Sequence, residues 1–565
     1  MALIKTSGRW LAAELDRLSI TGLLWGVLFF AAALTPSMVP RSSLVQGGVA
    51  GGCLAIGYGL GFLLAQAWLF LGLPNAQDRP RITLRWIIFV LSAAILLWAL
   101  WNAPGWQDDV RAVMGLKPLE SWSYAFEVLA VALFVLLLLL TLARLIGRLI
   151  LAASARVSRF APQRFAVLVS IIIVALVLWS LVNDLAVRAA FRFLDSSFRE
   201  FDALMEPNRP QPSSPLKTGS VESLVHWDQL GRAGREYVAD APTATRITEE
   251  TGFAAKEPIR VYVGLGGGDT AEARARLALE ELKRQGGFDR PVLVVITPTG
   301  TGWVDPAAAD SLEYLLHGDV ASVAVQYSYL NSPLSLLAQP EYGAEQSRAL
   351  FLEIYRYWAA LPKDQRPRLY LHGLSLGALN SQNSADLFEM IEDPISGALW
   401  SGPPFASRLW RSVTNARNPG TPEWRPEFRD GRIVRFSTQD GSPVPSDAPW
   451  GPMRVVYLQY ASDPIVFFAF SDLYRRPAWM NAPRGRDVSP SLRWYPIVTM
   501  LQLAVDMGIA TATPMGYGHV YAPEHYIDAW VSVLGVNDWP PDRLAKLKHD
   551  LGEAMRAETE DDRGG

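Results

Sequence analysis

Apolar positions fall into two regimes along the chain. In the first third they run together: residues 18–38, 47–73, 84–102, 124–143 and 164–184 are uncharged or nearly so. Each run has about the 20 residues a helix needs to cross a hydrocarbon core. Five in succession do not fit a cleavable signal peptide followed by a soluble chain, and they predict five transmembrane helices. In the second run Gly47, Gly51, Gly57 and Gly61 form two small-xxx-small pairs, the pattern of closely packed helices. A proline-rich stretch at 207–215 then reads as an extended linker.

From about residue 255 the apolar positions shorten into strand-length runs separated by helical patterns. Strands are predicted at 259–265, 291–297, 320–327, 368–372, 397–400, 432–436 and 454–460, and helices at 271–284, 306–316, 342–361 and 526–534. Asp269 and Glu272 fit a capping box at the first of these helices. Repeated βα units with apolar, β-branched strands predict a mostly parallel sheet covered by helices on both faces. The expected division is a transmembrane domain at 1–190, a connecting segment at 191–254, an α/β domain at 255–540, and a C-terminal helix with a solvated acidic tail at 541–565.

Charge adds an orientation. Lys5, Arg9, Arg17, Arg79, Arg81, Arg85, Arg144, Arg148, Arg156, Arg159 and Arg164 fall on one side of the five predicted crossings. The other side has only Arg41, Arg111, Lys117, Arg188, Arg192 and Arg199. Excess basic residues stay in the cytoplasm, so the N-terminus is expected inside and, after an odd number of crossings, the α/β domain outside. The net charge of −3 and the lack of a basic cluster interleaved with aromatics give no reason to expect nucleic acid as a partner. The single cysteine, Cys53, lies within the second apolar run and reads as a packing residue.

The chemistry centres on Gly373-Leu374-Ser375-Leu376-Gly377, at the junction of a predicted strand and a helical stretch. A serine between two glycines there is the sequence form of a nucleophile elbow. Its hydroxyl needs a base, and in this fold class an acid and then a histidine follow it in the chain. Of six histidines, His226 and His317 precede the elbow, His372 lies on its strand and His549 sits in an amphipathic helix. His519, after the loop glycines Gly516 and Gly518, is the preferred base, with His525 its rival. Asp463, just past a strand and followed by Pro464, is the preferred acid; Asp440, beside Gly441, reads rather as a turn residue. The amide of Leu376 is one expected oxyanion donor, and Thr301 or Gly302, in the glycine-rich loop after the second strand, the other. Gly266-Gly267-Gly268-Asp269-Thr270-Ala271 matches a dinucleotide fingerprint, but the acidic residue expected after the next strand is missing, so a strand-to-helix turn is the better reading. No HExxH, CxxC or carboxylate cluster points to a metal, and no cofactor is expected.

These residues resemble the bacterial α/β-hydrolase family whose catalytic domain follows a multi-spanning N-terminal membrane domain. The resemblance is carried by 258–264 (PIRVYVG), 297–305 (TPTGTGWVD), 326–329 (QYSY), 369–373 (LYLHG), 457–464 (YLQYASDP) and Gly518-His519. It implies an α/β-hydrolase fold and a Ser375–Asp463–His519 triad. Leu374 stands where family members often have an acidic residue, and Tyr517 where they often have histidine; both bear on substrate choice. The function expected is a membrane-anchored serine hydrolase acting on an ester of a lipid or envelope component. Acyl transfer on the same triad is one alternative, and a binding module on a membrane transport domain is another. Glu127 and Asp184 lie only near the ends of apolar runs, which favours anchoring over transport.

Overall fold

The computed structural model describes residues 19–73, 79–119, 123–181, 202, 204–206, 209–330, 340–385, 387–444 and 448–564. Lys5, Arg9, Arg17, Asp184, Arg188, Arg192 and Arg199, and positions 207 and 208 of the proline-rich stretch, lie outside them. The chain packs as two units. The first gathers residues Met1–Ala186 with Phe468–Pro477 and Arg486–Ile509, two stretches that a linear division assigns to the α/β domain.

Five apolar helices form the first unit's described N-terminal part: α1 (Ile20–Leu34), α2 (Ser43–Phe70), α3 (Arg79–Val113), α4 (Ser123–Val157) and α5 (Gln163–Ser180). Among the described residues four of them, α2 to α5, are long and apolar enough to span a membrane, where five were expected. With 15 residues, α1 is about 22 Å long, short of the ~30 Å core. Its end has a local cause. Thr35 precedes Pro36, whose ring disfavours helical geometry at the residue before it, and Thr35 turns to an extended ψ of 159°.

The glycines of α2 act as their spacing predicts. A Cβ at Gly47 or Gly51 would stand 2.6 Å from Val131 Cβ or 2.7 Å from Ala132 O of α4. At Gly57 or Gly61 it would stand 2.6 Å from Trp25 O or 2.5 Å from Thr21 O of α1. One pair therefore seats each neighbour. Cys53 is a free, buried packing residue of α2. A buried polar knot ties the α1–α2 connection to the helix Val498–Gly508. Arg41 Nε donates to Asp506 Oδ1 at 2.7 Å, and Arg41 donates to Gln502 O at 3.0 Å. Met38 N donates to Asp506 Oδ2 at 3.2 Å, and the Ser37 hydroxyl bonds the same oxygen.

Among the described residues the second unit is built on eight strands: β1 (Ile259–Val263), β2 (Val292–Thr297), β3 (Ala321–Val325), β4 (Arg368–Leu374), β5 (Gly397–Ser401), β6 (Val434–Thr438), β7 (Gly441–Val444) and β8 (Arg454–Leu458). They lie in the order β1-β3-β2-β4-β5-β8-β6-β7. Every pairing is parallel except β6 with β7. Helices α6 (Ala271–Arg284), α7 (Pro306–Leu315), α8 (Pro340–Ala360), α9 (Leu376–Ser384), α10 (Pro523–Leu534) and α11 (Pro541–Gly564) accompany the sheet. β1, β2 and β3 are buried along their whole length, which is why their sequences are continuous apolar runs. Arg260 on β1 is the exception; its guanidinium meets Glu313 at 2.7 Å and Asp310 at 2.6 Å. The cap of α6 is Thr270, whose hydroxyl accepts from Ala273 N, so the helix starts one residue past the capping box expected at Asp269. Because the strands are parallel, the loops that follow β2, β4, β5 and β8 all emerge at one edge.

Candidate active site

Ser375 sits between the last residue of β4 and the first of α9 with φ 56° and ψ −124°, a conformation that non-glycine residues rarely hold. Its surroundings enforce it. The Ser375 amide donates to Ser401 O at 3.0 Å, and its carbonyl accepts from Leu379 N at 3.1 Å. A Cβ at Gly373 would come within 2.4 Å of the Gly377 carbonyl carbon, and one at Gly377 within 2.2 Å of Thr297 O. Only glycine fits at either flank, so the turn is as tight as an elbow requires. The serine side chain makes no capping bond to α9. The helix N-terminus, with the Leu376 amide in its first turn, gives the site a partial positive charge.

The acid and the histidine arrive on separate loops that are sewn together. Asp463 is fully buried five residues past β8, and Ile465 N donates to its Oδ1 at 2.9 Å. His519 Nδ1 donates to Asp463 Oδ2 at 2.6 Å. Gly518 N donates to Ser462 Oγ at 2.9 Å, fixing one loop against the other, and His519 N donates to Ala510 O at 3.0 Å, closing the histidine loop on itself. Gly516 and Gly518 take φ of 91° and 55°, the left-handed turns that their glycines suggested. A Cβ at Gly402 would lie 2.6 Å from His519 Cε1. Gly402 directly follows Ser401, which is in register with Leu374, so imidazole and elbow share one edge of the sheet. With Nδ1 engaged by the carboxylate, Nε2 is left as the basic nitrogen, and it is buried with no hydrogen-bond partner among the described residues.

The rival residues go elsewhere. His525 Nδ1 bonds the Tyr460 hydroxyl at 2.6 Å. His372 Nδ1 donates to Leu399 O at 2.8 Å inside the sheet, and burial pushes its pKa down to about 4. Asp440 lies in the β6–β7 turn, its amide donating to Thr438 Oγ1 at 3.2 Å and its carboxylate facing Arg425. In the glycine-rich loop after β2, Gly302 N donates to Thr299 O at 3.0 Å, so that amide is already engaged; Thr301 is the remaining candidate donor. The contact of Gly377 with Thr297 O brings this loop beside the elbow. Gly266-Gly267-Gly268 forms a strand-to-helix turn after β1, at the sheet's edge. A cavity of about 690 Å³ opens at the opposite edge, beside Val292 and Arg368 at the starts of β2 and β4, and is separate from Ser375.

Two buried polar residues escaped the sequence reading. Tyr521 donates its hydroxyl to Asp463 Oδ2 at 2.7 Å. His519 lies in the turn closed by the Tyr517–Val520 bridge, so no strand periodicity relates it to Tyr521 and the sequence carried no signal for this contact. Asp305 caps α7, accepting from Ala307 N at 3.0 Å and from the Tyr526 hydroxyl at 2.9 Å. Its signal was the Asp-Pro pair that opens many helices. Burial raises the Asp305 pKa to about 6, partly offset by those hydrogen bonds.

A mostly parallel sheet with a serine turn at the carboxyl end of a central strand defines a hydrolase-type α/β protein. Residues 259–547 match the Alpha/beta-hydrolase family, and residues 34–242 match the N-terminal region of the same family. The chain belongs to that family. No curated relative and no solved structure matches it.

Proposed function

We propose that the protein is a membrane-anchored serine hydrolase that cleaves an ester of a lipid or envelope component. The observation that carries this reading is the strained Ser375 turn on the same sheet edge as the 2.6 Å Asp463–His519 pair. Ser375 Oγ attacks the ester carbonyl while His519 Nε2 takes its proton. The amides of Leu376 and Thr301 receive the oxyanion. His519 then returns the proton to the departing alcohol, and water repeats the sequence on the acyl-enzyme. Asp463 holds the imidazole in the productive tautomer and stabilises its cation. A lipid ester is favoured because the catalytic unit shares its chain with four helices long and apolar enough to span a membrane, which brings it to such substrates. The distribution of basic residues favours an extracytoplasmic catalytic unit.

A fluorophosphonate probe tests the nucleophile without knowledge of the substrate. The wild-type protein is expected to label at Ser375, and Ser375→Ala to lose all labelling while keeping its thermal unfolding midpoint. A folded wild-type protein that resists the probe would overturn the proposal. Adding an alcohol to the labelled system's ester-turnover counterpart separates the two outcomes of the acyl-enzyme: free acid marks hydrolysis, a new ester marks acyl transfer.

A further inference from the structure

Asp463 Oδ2 takes two hydrogen bonds, from His519 Nδ1 at 2.6 Å and from the Tyr521 hydroxyl at 2.7 Å. We propose that Tyr521 is a positioning residue that holds Asp463 and sets the basicity of His519, an inference that rests on reading Ser375 as the nucleophile. A buried tyrosine needs an acceptor, and any backbone carbonyl would satisfy it. This one is aimed at the oxygen that already serves the imidazole. Asp463 is fully buried, and three donors among the described residues reach its carboxylate: His519 and Tyr521 on Oδ2, and Ile465 N on Oδ1.

Tyr521 is itself held. Its ring stacks on Tyr460 at 4.4 Å and meets the imidazole of His519 edge-on at 5.8 Å. The Tyr460 hydroxyl accepts from Ala522 N at 3.0 Å and bonds His525 Nδ1 at 2.6 Å. His525, the rival base by sequence, thus braces the stack from α10. The titratable groups around the pair are Tyr460 from the loop after β8, backed by His525, Tyr526 from α10, and Asp305 from the start of α7, close enough to His519 to feel its charge. Burial and the Asp463 charge raise the Tyr521 pKa well above its ordinary value, so the hydroxyl stays protonated and donates throughout the working range.

The consequence for His519 has a definite sign. A hydroxyl on Oδ2 withdraws part of the carboxylate's charge from the imidazolium. Without it, the carboxylate stabilises the cation more and His519 protonates at higher pH. The neutral base is then lost from a wider acid range. No proton leaves Tyr521 at any step; the serine proton moves only to His519 and on to the leaving alcohol.

The test uses the pH dependence of the second-order rate of fluorophosphonate labelling, measured on the full-length protein in detergent. Tyr521→Phe is expected to label still at Ser375 but roughly tenfold more slowly at neutral pH, with the acid limb moved to higher pH. Incorporating 3,5-difluorotyrosine at position 521 keeps the ring and strengthens the donor, so its limb should move to lower pH. This second replacement decides the matter if Tyr521→Phe does not fold. An acid limb unchanged by either replacement, with Ser375 still labelling, would overturn the role of Tyr521 alone. Wild-type protein that fails to label at Ser375 would overturn both readings.

Discussion

Asp305 is buried, bonded by a tyrosine and a backbone amide, and still protonates near pH 6 because so little solvent reaches it. Its native pKa lies above its ordinary value of 3.8. Between those two values the folded state therefore binds more proton than the unfolded state. The stability this contributes is fully present below pH 3.8, is lost as pH rises toward about 6, and is absent above it. At ~1.4 kcal/mol per pH unit the loss across the window is on the order of 3 kcal/mol. Asn in place of Asp keeps an acceptor for Ala307 N but cannot titrate. Thermal unfolding of the wild type and Asp305→Asn from pH 4 to 7 should show the wild type losing ground to the variant as pH rises, with the change complete near pH 6.5. Parallel curves would rule out this titration. Asp305 also shows what escapes a reading of sequence: an aspartate before a proline announces a helix cap, whereas its burial depends on how Tyr526 of α10 closes over it.

At the scale of elements, the sheet could be read from the chain because its strands are buried on both faces and therefore continuously apolar. The elements that were not foreseen break that rule for identifiable reasons. β7 carries Gly441 and Pro443 and is half exposed at the sheet's edge, where a residue without an N–H is tolerated. The helix Val498–Gly508 is apolar, but its role depends on Asp506 meeting Arg41, a partner 465 positions away. The shortening of α1 followed from one proline. The proposed serine, acid and histidine stood out in the sequence because each sits beside its own local punctuation, a glycine pair or a proline. The 2.7 Å contact from Tyr521 could not be inferred, since it depends on how two loops meet. The α2 glycines allow an element-scale test, because neighbouring positions differ sharply. A Cβ at Gly51 would lie 2.7 Å from Ala132 O, whereas one at Gly52 would meet nothing within 4 Å. Gly51→Ala should cost about 1–3 kcal/mol through forced separation of α2 and α4. Gly52→Ala should be neutral, or gain up to ~1 kcal/mol from helix propensity. Equal unfolding midpoints for the two variants in detergent would mean that α2 and α4 do not approach this closely.

At the scale of the whole molecule, the proposed number of membrane crossings would decide which side the α/β-hydrolase unit occupies. An odd total was expected from five spans, and α1 is too short to be counted with the others. The side can be argued without α1. Between the α1–α2 connection, which holds Arg41, and the chain beyond α5 lie the four helices α2 to α5, each long and apolar enough to span a membrane, and we propose that all four cross it. Four crossings return the chain to the side on which Arg41 lies. A second observation agrees. Beyond α5 no further helix among the described residues is long and apolar enough to span, yet Asp506 pairs with Arg41 at 2.7 Å with both side chains fully buried. The two are adjacent, as the proposed even number of crossings between them requires. On the proposed topology that side is the one poor in basic residues, with Arg41, Arg111 and Lys117 against Arg79, Arg81, Arg85, Arg144, Arg148, Arg156, Arg159 and Arg164 opposite. By the retention of basic loops in the cytoplasm, the catalytic unit is proposed to be extracytoplasmic, whatever α1 does. Alkaline phosphatase folds to an active enzyme only outside the cytoplasm, so a fusion after residue 215 should be active. A fusion after residue 76, one crossing from Arg41, should be inactive. An active fusion at 76 with an inactive one at 215 would invert the orientation and move any ester substrate to the cytoplasmic leaflet.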